Sequence, residues 1–455
     1  MTINLNLQRV HLMGIGGAGM SALAKLLQAH GLEVSGCDLK EPHYDLGTIP
    51  CLMGHSPQHI DTLKPDALIL SSAVHRDNPE VLSAQAEGIP ILSRAQALSS
   101  LFNQSFGIGI AGAHGKTTTT SMTGLLFLKA GLAPTIYVGA NVPDIGSNAV
   151  SGTGPHFIAE LDESDGTFEL FTPNIAIITN ADWDHVDHYP TRQAVIDAFT
   201  RYADGRKEGG ILVACADDEG ASQVLARTHG KVVTYGQGAS CGWRALDITN
   251  IPGGGVSCVV EHEGHVLGKL ELSVSGVHNI MNALAAIASA HLCGISFEQS
   301  AAILKDFHGS ERRMQVKGTT GDDVLVMDDY AHHPGEIRAT LKAVRGIYPE
   351  RRVVVVFQPH RYSRTAKFAP DIAEALALAD EAYVLPVYAA GEAELPNGNA
   401  DEIVRHSGGK IGLVAFDDAP ETLKGALRHG DILLTMGAGN VYELGEKIMN
   451  ANQSL

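Results

Sequence analysis

The residues with the most chemical content lie in one stretch, FGIGIAGAHGKTTTT, at residues 106–120. Apolar residues alternate with glycines up to Ala111 and threonines follow Lys116, the pattern of a short buried strand that turns into a helix. A turn of this kind lets backbone N–H groups converge on a phosphate at a helix N-terminus. Lys116 can then reach the outer phosphates, and Thr117 can offer a hydroxyl to Mg²⁺. The complete phosphate-loop pattern has a glycine five residues before Gly115, where this chain has Ile110, flanked by Gly109 and Gly112. On these residues alone, a tight turn with a solvated lysine competes with the phosphate loop.

Two acidic clusters follow. A strand expected over residues 157–161 carries Glu160 and opens into Asp162-Glu163-Ser164-Asp165. A second, over 175–179, ends in a run that includes Asp182, Asp184, His185, Asp187 and His188. Magnesium prefers hard oxygen ligands, so carboxylate, threonine hydroxyl and phosphate oxygens make a sensible shell, with an imidazole as an occasional addition. Each acid alone reads equally well as a solvated turn or cap.

A second glycine motif opens the chain. Residues 10–15 read as a strand, and Gly14, Gly16 and Gly19 satisfy G-x-G-x-x-G within GIGGAGM, where Gly17, Ala18 and Met20 complete the turn. A further strand over 33–36 leads to Asp38, about 20 residues on, where an acid would meet a ribose hydroxyl. This pattern fits NAD, and it fits a nucleoside diphosphate sugar as well, because it reports only a diphosphate at a helix N-terminus. Ser71 and Ser72 follow a strand over 67–70 and fall near the same crevice, with turn formation as the competing role. Later, Asn279 and Asn282 start an alanine-rich helix, where they could read an adenine edge or cap the helix. Strands over 324–327 and 352–357 end in DDYAHHP and QPHRYSRT; Arg361 and Arg364 in the latter suit bidentate recognition of carboxylate or phosphate.

The elements that must position these residues alternate strand and helix through the first and last thirds, which predicts open, Rossmann-type sheets on either side of the phosphate-loop region. The glycine-rich stretch 236–268 reads as short antiparallel strands. With 455 residues, about three domains are expected. Hydrophobic residues make up 44% and charged residues 18%, which fits a folded globular chain. A formal net charge of -18 disfavours nucleic acid and anionic membranes as partners, so an anionic ligand must be held by local positive features. The six cysteines include no CxxC pair, and no signal-peptide core or spanning stretch is visible, so a reduced, cytoplasmic setting without membrane insertion is expected.

Taken in order, the motifs GIGGAGM, AGAHGKTTTT, AELDESD, DHVDHY, GVHN, ERR, DDYAHHP and FQPHRYSRT resemble the Mur ligases over the whole chain. The resemblance implies an α/β fold of three domains: an N-terminal Rossmann-like UDP-sugar domain at 1–104, a central P-loop ATPase-type domain at 105–310 and a C-terminal Rossmann-like domain at 311–455. It implies ATP contacts from Gly112, Ala113, His114, Gly115, Lys116, Thr117, Thr118, His278, Asn279, Asn282, Arg313 and Asp329. Mg²⁺, or Mn²⁺ in its place, would sit on Thr117, Glu160 and His185. UDP-sugar contacts would come from Gly14, Gly16, Gly17, Ala18, Gly19, Met20, Asp38, His55, Ser71 and Ser72. Tyr330, His332, His360, Arg361 and Arg364 would form the amino-acid and carboxylate end, with Lys116, His185, Arg313 and His332 closest to the chemistry.

The implied reaction is ATP-dependent joining of L-alanine to UDP-N-acetylmuramate through an acyl phosphate, by a monomer or homodimer. Addition of a ready-made peptide by a ligase of the same family, and less so a nicotinamide-dependent oxidoreductase or a nucleotide-sensing protein, are the alternatives. Two departures from the family stand out. Ala113 replaces a threonine, and residues 193–202 lack the lysine that some relatives carbamylate.

Overall fold

In the computed structural model, residues 7–451 are described except His43, Asp187, Pro252 and Gly253. Asp187 of the second acidic run therefore lies outside the described residues.

Three sheets organise the chain. The first is fully parallel, in the spatial order Cys51–Met53, Glu33–Asp38, Arg9–Met13, Ala67–Leu70, Ile91–Ser93. The order reverses between Arg9–Met13 and Ala67–Leu70, and crevices for ligands open at such a reversal. The first glycine turn and Ser71 both leave the sheet there. Ser71 stands so close that a Cβ on Gly14, at φ +78°, would lie 2.8 Å from its Cβ.

The second sheet has ten strands. Its parallel centre holds Phe106–Ala111 between Ile175–Ile178 and His156–Glu160, which sets the phosphate-type loop and both acidic clusters at the same sheet edge. Trp243–Asn250, Val256–His262 and His265–Leu272 form an antiparallel meander at one side. These strands run to seven and eight residues, longer than the glycines of this region suggest, because the glycines fall mainly in turns and at ladder irregularities. The helices Lys116–Lys129 and Val277–Leu292 lie against one another within the same core, where threonine, serine and alanine allow close approach.

The third sheet runs Gln315–Thr319, Leu325–Asp329, Ile432–Met436, Val353–Phe357, Glu381–Val384, Ile411–Leu413 and is parallel apart from its first strand. Val353–Phe357 reads VVVVF and is buried throughout, as expected for a central parallel strand covered on both faces.

The first sheet's layer is fastened to the second. Tyr137 donates its hydroxyl hydrogen to the Gly19 carbonyl at 3.1 Å, and the Asn148 amide donates to the Ala18 carbonyl at 2.8 Å. One apolar cluster continues from Leu23 and Phe102 through Phe157 to Phe199. Among the described residues no helix is long and apolar enough to cross a membrane, and the six cysteines are all free thiols.

Candidate active site

The strand Phe106–Ala111 turns at Gly112 (φ +144°), and Gly115 (φ +80°) starts the helix Lys116–Lys129. A side chain at Gly112 would run into the Thr179 hydroxyl, so the close approach itself demands glycine. The turn is clamped from the neighbouring strand end. Thr179 Oγ1 donates to the His114 carbonyl at 2.6 Å, while Asn180 accepts the His114 N–H at 3.0 Å and returns its amide to the same carbonyl at 2.9 Å. Ala113 costs this clamp nothing, because the loop is held through backbone groups.

Lys116 Nζ donates to Gly112 O at 2.5 Å and lies 2.8 Å from Glu163 Oε2. Burial works against its charge, but Glu163 outweighs that and raises the ammonium above its ordinary value. Thr117 Oγ1 donates to Glu160 Oε1 at 2.9 Å, and Glu160 Oε2 accepts the Gly139 N–H at 2.7 Å. His185 sits 3.2 Å from Glu163 through Nε2, while its buried Nδ1 has no hydrogen-bond partner among the described residues. Its backbone is left-handed (φ +51°), a strained state for a non-glycine residue, and Asp184 Oδ1 holds it by accepting its N–H at 2.7 Å. Two hard oxygens side by side and a buried imidazole nitrogen without a partner form a donor set that fits Mg²⁺.

A cavity of about 820 Å³ extends from Gly17, Ala18, Gly19, Met20, Tyr44 and Ser71 past Lys116, Thr117, Glu160 and His185 to Tyr330, His332, His360, Arg361 and Arg364. A second, of about 380 Å³, is lined by His114, Gly115, Thr118, His278, Asn279, Asn282 and Asp329. The turn 113–118 is the partition between them, and Arg313 and Glu336 belong to both walls. The structure thus brings most of the expected residues together.

Several expected residues act first as supports. Asp38 lies off the cavity wall and accepts the Gly16 N–H at 2.9 Å, so it staples the glycine turn. His55 is turned to Asn78 at 2.8 Å, and neither it, Ser72, Gly14, Gly16 nor Gly112 lines either cavity. Asn279 and Asn282 bond to one another at 3.2 Å, Asn279 reaches the Ser275 carbonyl and Thr119 donates to Asn282, so this pair holds two helices in register beneath Gly115. Asp329 accepts the Met314 and Ala331 N–H groups at 2.7 and 2.8 Å; burial pushes its carboxyl up to about 6 despite Arg313 nearby.

Burial keeps several histidines around the site neutral. Burial pushes His332 down to about 3, and its Nδ1 faces the Tyr330 carbonyl at 3.0 Å and Glu336 at 3.2 Å, so Nε2 is the lone-pair end. Burial, with His332 and two arginines nearby, lowers His360 to about 2, and its ring stacks on Tyr388. His278 is lowered to about 4 by burial and Arg313. His114 moves the other way. Burial opposes its charge, but Glu336 and Asp182, at 3.2 and 3.3 Å from its two nitrogens, push it up to about 10.

Motif reading gives Asp162, Glu163 and Asp184 only as members of acidic clusters, without individual roles, and does not single out Glu336, Tyr44 or Arg94, which pairs with Asp162 at 2.9 Å. Glu336 had a local signal, since its side chain accepts the His333 N–H at 3.2 Å as the partner of a helix-start capping box.

Residues 9–106 match the Mur ligase family, catalytic domain; residues 110–290 match the Mur ligase middle domain; and residues 312–439 match the Mur ligase, glutamate ligase domain. A protein of Desulfatibacillum aliphaticivorans named UDP-N-acetylmuramate–L-alanine ligase is 40% identical over 451 residues, which cover 97% of this chain and 98% of that one. The chain belongs to the Mur ligase family. A Kineococcus radiotolerans protein of the same name is 43% identical, covering 98% of this Mur ligase and 96% of the relative. Among solved structures, the UDP-N-acetylmuramate-alanine ligase of Thermotoga maritima matches with a TM-score of 0.82 at 30% identity, covering 99% of this chain and 100% of that one. A murein peptide ligase of Psychrobacter arcticus matches with a TM-score of 0.74 at 25% identity, covering 98% and 99%. The three-domain α/β architecture expected from the motifs is the one found.

Proposed function

We propose that this Mur ligase joins L-alanine to the lactyl carboxylate of UDP-N-acetylmuramate, converting ATP to ADP and phosphate. The observation that carries the reading is the partition. One turn, 113–118, separates a cavity suited to a nucleotide from a longer one that starts at the first glycine turn and ends at histidines and arginines. A γ-phosphate held at Lys116 would face a carboxylate arriving from the other side. The relatives named above support the choice of sugar nucleotide and amino acid.

A carboxylate does not condense with an amine in water. Its oxygen therefore attacks the γ-phosphorus first, ADP leaves, and an acyl phosphate forms. The alanine nitrogen then attacks the acyl carbon, and the resulting tetrahedral intermediate expels phosphate. Lys116 and Arg313 would neutralise the transferring group, which in phosphoryl transfer is most of the catalysis. Mg²⁺, held by Thr117, Glu160 and His185, would supply further charge neutralisation and orientation. We assign the carboxylate of the amino acid to Arg361 and Arg364, the latter through Nη1 because Asp184 holds its Nε and Nη2. The alanine ammonium must lose a proton first, since a nitrogen without a lone pair cannot attack, and either His332 Nε2 or solvent would take it. We also take 1–104, 105–310 and 311–455 as the three domains, with the last closing on the central one during turnover.

The test is phosphate release from ATP and Mg²⁺ with UDP-N-acetylmuramate and, in turn, L-alanine, L-serine, glycine and the cell-wall tripeptide. Release that depends on both the sugar nucleotide and L-alanine is expected. Release with the tripeptide alone would move the chain to the peptide-adding branch, and release without any sugar nucleotide would remove the reading.

A further inference from the structure

We infer that His11, Cys37, His59 and Glu80 form a binding site for one divalent transition metal of the zinc type, buried beneath the first glycine turn. These residues lie outside both cavities. They come from four elements: the strands Arg9–Met13 and Glu33–Asp38 and the helices Pro57–Leu63 and Pro79–Ala86. One ligand atom from each lies within 4.8 Å of all the others. His11, Cys37 and Glu80 are fully buried, and only the His59 side chain, 15% exposed, offers a way in.

Bond lengths of about 2.0–2.3 Å place neighbouring ligands of a tetrahedral zinc about 3.3–3.8 Å apart. The atoms here already approach that spacing. His11 Nε2 is 3.1 Å and His59 Nδ1 3.2 Å from the Glu80 oxygens, and Cys37 Sγ is 3.5 and 3.6 Å from them.

A buried hydrogen-bond network is the competing account, and it leaves a gap. His11 Nε2, buried 3.1 Å from Glu80 Oε1, meets that carboxylate out of line for a good hydrogen bond and has no other partner among the described residues. A metal would take its lone pair. The other His11 nitrogen, Nδ1, is fixed by Ser35 Oγ at 2.9 Å, the outer contact that aims a metal-binding imidazole. A thiolate, a carboxylate and two neutral imidazoles carry two negative charges, which the cation would cancel; on binding, the Cys37 thiol gives its proton to solvent.

The site is tied to the glycine turn. The Cys37 carbonyl accepts the Gly14 and Ile15 N–H groups at 2.8 and 3.2 Å, and the adjacent Asp38 accepts that of Gly16. A metal holding Cys37 therefore fixes the turn that lines the sugar-nucleotide end.

The test uses the full chain, stripped with a chelator and titrated with Co²⁺ in excess Mg²⁺. Expected are one equivalent bound, a thiolate-to-cobalt charge-transfer band, intense tetrahedral d–d bands, and displacement of cobalt by one equivalent of Zn²⁺. Cys37→Ser should lose the charge-transfer band, and His59→Asn, at the rim, should weaken binding at least about tenfold while circular dichroism shows both variants folded. No thiolate band in the parent chain, or a band that survives in Cys37→Ser, overturns the proposal. So does a parent that binds cobalt only as weakly as His59→Asn.

Discussion

Arg364 and Asp184 form a two-pronged pair, Nε to Oδ1 at 3.0 Å and Nη2 to Oδ2 at 3.1 Å, with both side chains nearly excluded from solvent and 180 residues apart in the chain. Asp184 lies in the loop after the central strand Ile175–Ile178, whereas Arg364 lies in the first turn of Tyr362–Leu376 in the C-terminal sheet's layer. Burial opposes the Asp184 charge, but Arg364 holds the carboxyl well below its ordinary value. The pair is a latch between the two layers, and it sits beside His185 and His332.

Removing one partner of a buried pair costs about 3–5 kcal/mol, because the other charge is left unpaired. Arg364→Ala can escape that cost by opening, since hinge motion is the default between domains of one chain. Ligation should then fall on the order of 10²-fold or more. Small-angle scattering should give the variant a larger radius of gyration than the parent when both hold a non-hydrolysable ATP analogue and UDP-N-acetylmuramate. Equal radii would remove the latch from the account of closure. Arg364→Lys, which keeps the charge and loses the fork, should fall between.

Lys116 Nζ lies 2.8 Å from Glu163 Oε2, so a phosphate at this loop would compete with the carboxylate for the lysine. Lys116→Ala should reduce turnover by about 10²–10³-fold through lost electrostatic stabilisation, with UDP-N-acetylmuramate binding nearly intact in calorimetry. Glu163→Gln should affect nucleotide affinity less than turnover, because it also frees His185 Nε2. Near-parental turnover of the lysine variant at saturating ATP would show that the 106–120 stretch is not the ATP loop.

What the sequence disclosed and what it hid divide along a physical line. Glycine punctuation marks places where backbone must meet backbone or ligand, so both turns and the helix starts behind them were readable locally. The strand Glu33–Asp38 runs two residues past its expected end and Val277–Leu292 starts two residues ahead of Asn279, the ordinary slack of boundaries set by packing. The strands Thr135–Val142 and Ser147–Val150 escaped notice because their glycine, proline and asparagine neighbours suggest loop, and pairing of the first with His156–Glu160 and of the second with the first overrides that. Glu163 and Asp184 lay inside quoted motifs, yet their partners, Lys116 and Arg364, come from distant segments. Asp38 was expected at a ribose, and only the fold reveals it as the staple of the Gly16 N–H.

Gly16 tests that staple. A Cβ there would sit 3.0 Å from the Asp38 carboxylate and 3.2 Å from Pro42 Cα, so Gly16→Val must displace the turn. UDP-N-acetylmuramate binding should be lost in a fluorescence titration while ATP binding in the central region survives. The parent should show no measurable affinity for NAD or NADP; tight NAD binding would instead favour the oxidoreductase reading of the glycine motif.

The buried histidines give stability an acid limb. His278 and His332 ordinarily protonate near 6.5, and in the fold they are lowered to about 4 and about 3, in each case chiefly by burial. The unfolded chain therefore takes up their protons first as pH falls. Their contribution is present above about 6.5 and is lost progressively down to about 4 and 3. Glu336, held below its ordinary 4.5 by His332 and His114 against the cost of burial, adds to the loss only below that value. His114 acts in the opposite direction: its folded value of about 10 lies above its ordinary 6.5, so its contribution is complete below 6.5 and fades as pH rises towards 10. Melting temperature should therefore peak near pH 6.5 and fall on both sides, with the acid fall smaller in His278→Gln than in the parent. His278 is the variant of choice because it lies away from the Lys116 and His185 contacts, so a flatter limb reports its own proton. Parallel acid limbs in parent and variant would show that His278 is protonated alike in the folded and unfolded chain.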